Sequence, residues 1–434
     1  MKPSALSGRR HDLDALRVIA FGLLILYHAS GIWQTDSDFH VVSRHTFDQM
    51  DGFRILLNRW RMPLLFAMSG IAIGLAAPRD GWLFVRQRTS RLLIPLAFGM
   101  LTMIVVQAYC EARLNGQVPA GFLAFWWRYL QLRPWPADTF TGASHGVTWN
   151  HLWYLPYLWC YTVLLMMLRP VLQNSPESRL GALSKPLGVV VGWLLPVLAW
   201  LIALLWLKPR FPESHAFIGD WYAHVVYFGC FLAGWWVSRE QGAWEWLARW
   251  RWLTFGIAAI AIMIELLLKF ADLWLDEAPL PDWASAVNWG LVETTARATY
   301  GWTAMLAIFG FGLSHLNKPF RWLPYASEAV YPWYILHQTL LVLIGYWVIP
   351  LGWNAAMEVV AILGGTIVGC LLLHELLIRR IALLRPLFGL KPAADARRSV
   401  APLPRPASHP APTDRRCANA APVDPLPIHR NASR

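Results

Sequence analysis

Apolar runs of about 17–25 residues recur along the chain between polar connections, the length a helix needs to cross a bilayer core of about 30 Å. Ten spans are read at approximately 14–33, 62–77, 91–110, 150–168, 187–206, 221–238, 251–270, 298–315, 329–349 and 355–378. The second is short and is flanked by Asn58, Arg59 and Arg61. The pattern predicts an all-α polytopic membrane protein with about ten transmembrane helices. Two connections, 34–61 and 111–149, are long and are expected to face outward, either capping a site on that face or standing as tolerated insertions.

Charge gives the expected orientation. With the N-terminus in the cytoplasm, inward segments hold 27 of the 38 Lys and Arg, and outward loops hold 11. "PRDGWLFVRQRTSR" is basic and reads as inward, whereas "DLWLDEAPLPDWASAVNW" is acidic and reads as outward. Both termini are therefore expected in the cytoplasm. In a chain that is 56% hydrophobic, the net charge of +12 reports topology, and nucleic acid is not an expected partner. Five scattered cysteines without CxxC spacing predict neither a metal site nor a disulfide framework. The first apolar run lacks a small-residue cleavage site and reads as a retained helix. Residues 1–390 are expected to form the transmembrane domain. Residues 391–434, rich in Pro, Ala and Arg without apolar period, are expected to be a disordered cytoplasmic tail beside the anionic leaflet.

Within the spans, polar residues mark candidate chemistry. In "DLDALRVIAFGLLILYHAS" (12–30), Arg17 and His28 are eleven positions apart. Eleven helical steps leave an offset of roughly 20° and a separation of about 16 Å, so both lie on one stripe. Asp14 is spaced to pair with Arg17. Arginine near a helix end can snorkel to headgroups, but an intramembrane histidine normally faces a cavity or a partner. The pair suggests a channel with an anion anchor at its inner mouth and a titratable base near its far end.

"FVRQRTSRLLIP" (84–95) carries Arg86, Arg88 and Arg91, the last two being neighbours on a helix. Their forks suit phosphate oxygens, although topology alone also accounts for basic residues at an inner helix end. In "YPWYILHQT", Tyr331, Tyr334 and Gln338 share a stripe with His337 beside it, and Pro332 is expected in the first turn. This stripe is expected to line the same cavity as His28. Asn150, His151 and Trp153 in "TWNHLWYLPY" are expected to meet an acceptor at the outer surface. Trp126, Trp127, Trp135 and Trp149 suit either sugar stacking or the membrane interface. Glu265 and Glu358 stand in apolar surroundings, where each would tune His28 or pair with a neighbouring helix; His374 and Glu375 read as structural.

The first helix resembles that of the acyltransferase 3 family of integral membrane O-acyltransferases, whose signature is Arg or Lys, ten residues, then His. Arg17 and His28 fit that spacing. "RMPLLFAMSGIAIG" (61–74), "HLWYLPYL" (151–158) and "EAVYPWYILHQTLLV" (328–342) also resemble family segments. The last is similar to the branch that modifies periplasmic glucans (glucan biosynthesis protein C-like). Between about 170 and 325 no segment carries a specific match. The resemblance implies a membrane-bound O-acyltransferase of the bacterial inner membrane. It would move an acetyl or succinyl group from cytoplasmic acyl-coenzyme A to a hydroxyl of an extracytoplasmic cell-envelope glycan. Arg88 and Arg91 match the family's Arg-x-x-Arg motif, which with Arg86 would grip the donor's phosphates, while Arg17 orients it. His28 would act as general base or as a transient acyl carrier, and Tyr334 with His337 would shape the pocket or stabilise an oxyanion. Acyl-coenzyme A is then a substrate, and no permanently bound cofactor is expected. The rival reading is a multi-span transporter with a polar track for an anion or proton. Haem ligation by His28 and His337 is a weaker one.

Overall fold

The computed structural model describes residues 9–174, 190–271, 284 and 286–392. The tail expected to be disordered lies, from residue 393, outside the described residues. The described residues belong to one unit, Met1–Pro392. It is built from helices, with a single β-bridge between Gln34 and Phe47 and no strand among the described residues.

In chain order the helices are α1 (His11–Ser30), α2 (Gln49–Ala76), α3 (Gly81–Leu114), a short α4 (Phe122–Tyr129), α5 (Tyr154–Asn174) and α6 (Gly192–Leu207). They continue with α7 (Trp221–Val237), α8 (Gln241–Lys269), α9 (Trp289–Phe311), α10 (Leu323–Val348) and α11 (Ala355–Ile378). Each predicted span overlaps one of these helices, and residues 187–189 of the span at 187–206 lie outside the described residues. Among the described residues, six segments are long and apolar enough to cross a membrane: His11–Ser30, Gly81–Leu114, Asn150–Leu172, Gly242–Lys269, Leu323–Leu351 and Ala355–Ile378. The protein is thus a polytopic α-helical membrane protein.

Five helices, α2, α3, α8, α9 and α10, begin well before hydropathy predicts. The segment 49–61, expected as loop, forms the first turns of α2. Two of its arginines meet neighbours inside the bundle, so the polar stretch does not end the helix. Arg59 pairs with Glu265 of α8 at 2.6 Å, and Arg61 lies over the Tyr27 ring of α1 at 3.7 Å. α3 has 34 residues, about 51 Å at 1.5 Å per residue, well beyond a bilayer core. Its first turns carry Arg86, Arg88 and Arg91 as a helical extension, started by Asp80, whose side chain accepts from the Leu83 amide at 2.9 Å. Pro332, expected in a first turn, stands in the interior of α10, which starts at Leu323. There it cannot donate to the carbonyl four residues back.

Close packing holds α2 against α7. A Cβ on Gly70 or on Gly234 would collide with the backbone of the facing helix, at Phe231 and Ala67 respectively. Small residues let helices approach where apolar burial against lipid gives no net gain. Beside this crossing, Phe66 is surrounded by Trp153, Tyr154, Tyr161 and Tyr227, with ring centroids 4.6–6.2 Å away. The long connection 111–149 has its own small core, in which Phe125 of α4 packs on Tyr129, Trp135 and Phe140.

Candidate active site

Helix α1 carries polar chemistry at both ends. At its amino-terminal end, Asp14 accepts from Arg9 at 3.0 Å and lies 3.6 Å from Arg17. Arg88 of α3 is within electrostatic range of Arg17, Arg91, Tyr154 and Tyr331, and the Tyr331 hydroxyl donates to the Arg91 carbonyl at 3.1 Å. Arg17, Arg88 and Arg91 therefore share one end of the bundle. Arg88 is half-buried, while Arg86 and Arg91 are exposed.

Toward the other end, His28 lines a cavity of about 710 Å³. Its ring centroid lies 5.4 Å from that of His337 and 6.3 Å from that of His151. The cavity reaches down α1 to Phe21, one turn from Arg17, where Phe21 packs edge-on against Tyr334 at 5.5 Å. Arg17, Arg88 and Arg91 are not in its wall. The anion end and the histidine end thus lie on one helix but do not share one open hollow, because the Phe21–Tyr334 layer stands between them.

The three histidines differ in what holds them. His337, fully buried, donates Nδ1–H to the Trp333 and Tyr334 carbonyls at 3.1 and 2.9 Å, which leaves Nε2 as an acceptor without a partner. His151 donates Nε2–H to the Tyr334 carbonyl at 3.0 Å, and the Tyr334 hydroxyl donates back to the His151 carbonyl at 2.5 Å. Its Nδ1 faces the Gln107 amide at 3.5 Å. No cluster of three or more metal-ligating groups occurs among the described residues.

A polar network continues from Gln107, which donates to Thr339 at 2.7 Å and accepts from Asn150 at 3.0 Å and Gln338 at 3.3 Å. Gln338 also reaches His40 Nε2 at 3.0 Å, and His40 Nδ1–H donates to Glu111 at 2.5 Å. The other Glu111 oxygen accepts from the amide and hydroxyl of Thr141 at 2.8 Å. The chain of contacts joins the 111–149 connection to α3 and α10. A π-helical stretch in α3, Gly99–Ile104, precedes Gln107; such insertions re-phase a helix and recur at functional sites. Its Met103 carbonyl accepts from Thr339 at 3.1 Å.

The cavity mouth is formed by the long connections. Thr141, Ser144, His145 and Trp149 line it, so the 111–149 connection does cap the hollow. Trp153 also lines it, but one face of its indole is already stacked on His215 at 4.0 Å. In the loop before α7, burial would raise the Glu213 carboxyl. Hydrogen bonding and charge from His215, together with the Tyr227 hydroxyl, hold it below its ordinary value. Trp135 is buried within the connection, whereas Trp127 is exposed. Glu265 pairs with Arg59 and Arg297, and Glu358 accepts from Trp33 and Ser43, so neither adjoins His28.

His40, Gln107, Glu111 and Arg61 were not singled out as site residues by sequence reasoning. The available signals were faint: Gln107 and Glu111 stand four apart at the end of an apolar run, and Arg61 directly precedes one.

The Acyltransferase domain family matches residues 10–375, and the chain belongs to that family. It is an acyltransferase, which displaces the transporter reading. No curated protein and no solved structure matches it.

Proposed function

We propose that this acyltransferase crosses the bacterial inner membrane ten times with both termini in the cytoplasm. It takes an acetyl or succinyl group from cytoplasmic acyl-coenzyme A and delivers it to a hydroxyl of an extracytoplasmic cell-envelope glycan, as in the glucan-modifying branch. The observation that carries this reading is the histidine-walled cavity of about 710 Å³, large enough for sugar units, at the opposite end of α1 from a cluster of three arginines. Arg88 and Arg91, with Arg86 nearby, would hold the donor's phosphates and Arg17 would orient it. The pantetheine arm would then pass the Phe21–Tyr334 layer and bring its thioester to His28. Asn150, His151 and Trp153 would help seat the acceptor.

In the transfer, His28 removes the proton from the acceptor hydroxyl while that oxygen attacks the thioester carbonyl carbon. The carbonyl electrons move onto its oxygen. When they return, the carbon–sulfur bond breaks and the thiolate takes the proton from His28. His337 and Tyr334 hold the pocket around this step. A two-step course through acyl-His28 uses the same residues.

The test is thiol release by the purified protein given acyl-coenzyme A and an envelope-glycan extract. His28→Ala is expected to lower the rate by about 10²–10⁴-fold with normal folding. Absence of release by the native protein, or full activity of the variant, would sink the proposal. Mass spectrometry of envelope glycans from cells with and without the gene would name the acyl group and the acceptor together.

A further inference from the structure

Arg61 stands in the wall of the same cavity with only 2% of its surface exposed. It lies twelve residues into α2, about 18 Å from the helix start at 1.5 Å per residue, too far for its side chain to reach that end. The Gly70–Gly234 crossing pins the helix on the far side of Arg61. Its Nε and Nη1 have no hydrogen-bond partner, and no carboxylate among the described residues pairs with it. Its charged and polar neighbours include Tyr27, with which it shares a side-chain hydrogen bond, Tyr227 and a second cation, Arg54. Arg61 and Arg54 lie over the Tyr27 ring at 3.7 and 4.3 Å.

Three other arginines inside this bundle are matched to carboxylates. Arg10 pairs with Asp12 at 2.6 Å, and Arg59 and Arg297 share Glu265. A buried cation without its counter-charge is costly, and leaving two N–H groups unpaired adds to the cost. Arg61 faces the hollow that holds His28, and it is within electrostatic range of both His28 and His337.

We propose that Arg61 is an anion-binding residue of this cavity, its guanidinium holding negative charge on a carbon-bound oxygen during acyl transfer. The inference rests on the acyl-transfer reading above. Two sources share this chemistry. One is the oxygen of the tetrahedral intermediate, which becomes negative when the acceptor adds to the thioester and is released when the carbon–sulfur bond breaks. The other is the free carboxylate of a dicarboxylic acyl group.

The experiment compares native protein, Arg61→Met and Arg61→Lys in detergent, with acetyl- and succinyl-coenzyme A as donors and the glycan extract as acceptor. If Arg61 meets the intermediate, Arg61→Met lowers kcat by about 10²–10³-fold with whichever donor the native protein uses, at similar KM. If it meets an acyl carboxylate, KM rises at least about tenfold for the succinyl donor alone, as expected when a charged contact is lost. Either pattern supports the proposal, and a purely structural arginine would produce neither split. A folded Arg61→Met with unchanged kcat and KM overturns it. Should that variant not fold, Arg61→Lys decides: it keeps the charge but loses the fork, and unchanged constants there overturn the proposal equally. Native protein that releases no thiol from either donor refutes the acyl-transfer reading itself, a result distinct from an active enzyme indifferent to residue 61.

Discussion

Tyr334 and His151 hold each other through two reciprocal hydrogen bonds, hydroxyl to carbonyl in one direction and ring N–H to carbonyl in the other. The arrangement fixes the His151 ring, keeps its Nε2 protonated and ties α10 to the start of α5. Tyr334→Phe keeps the ring packing but leaves a buried carbonyl without its donor. We expect a loss of about 1–3 kcal/mol, read as a lower thermal midpoint in detergent. Transfer should slow as well, because the His151 backbone loses one of its two ties to α10, although its ring keeps the bond to the residue 334 carbonyl. At this scale the sequence revealed Arg17, His28 and the α10 stripe, since helical period alone aligns residues eleven, three or seven apart. It did not reveal His40 or Glu111. Their contact joins a loop residue to a helix end seventy-one positions away, and no local spacing encodes it.

Among the elements, α2 departs most from its hydropathy reading. Its first turns look like a polar loop because Arg54, Asn58, Arg59 and Arg61 interrupt them, yet the helix runs without a break from Gln49. Those residues point at Tyr27, at Glu265 and into cavities, so the polarity belongs to the interior of the bundle. The other end of α2 is fixed by Gly70, where no side chain fits against Phe231 of α7. Gly70→Leu is expected to push these helices apart at a cost of roughly 1–3 kcal/mol or more. Because Arg61 rides on the same rigid helix, activity should fall together with the thermal midpoint. A variant with native midpoint and native rate would refute the role given to this contact.

Across the whole molecule, a few buried polar groups staple helices that lipid-facing apolar surface cannot by itself arrange. Glu265 on α8, fully buried, takes Arg59 from α2 and Arg297 from α9 at 2.6 and 3.1 Å. Removing one partner of a buried ion pair leaves the others uncompensated, so Glu265→Ala should cost about 3–5 kcal/mol in unfolding experiments. A loss below about 1 kcal/mol would mean that these charges are already solvated. The same logic explains the early starts of α2, α3 and α10. Hydropathy counts apolar residues, whereas a helix end is set by where backbone and side-chain polar groups find partners.

The sequence by itself determined that the chain is a bundle of membrane helices, roughly where each one lies, and that Arg17 and His28 share a stripe. These properties follow from apolar length and from a period of 3.6 residues, both local. Tertiary structure decided that His28 meets His151 and His337 and that Gln107, His40 and Glu111 form a network beside them. It also decided that Arg61 is buried in the wall of the cavity without a counter-ion. Those relations depend on which helix faces which, and side-chain packing across the bundle sets that, not the order of residues along one helix.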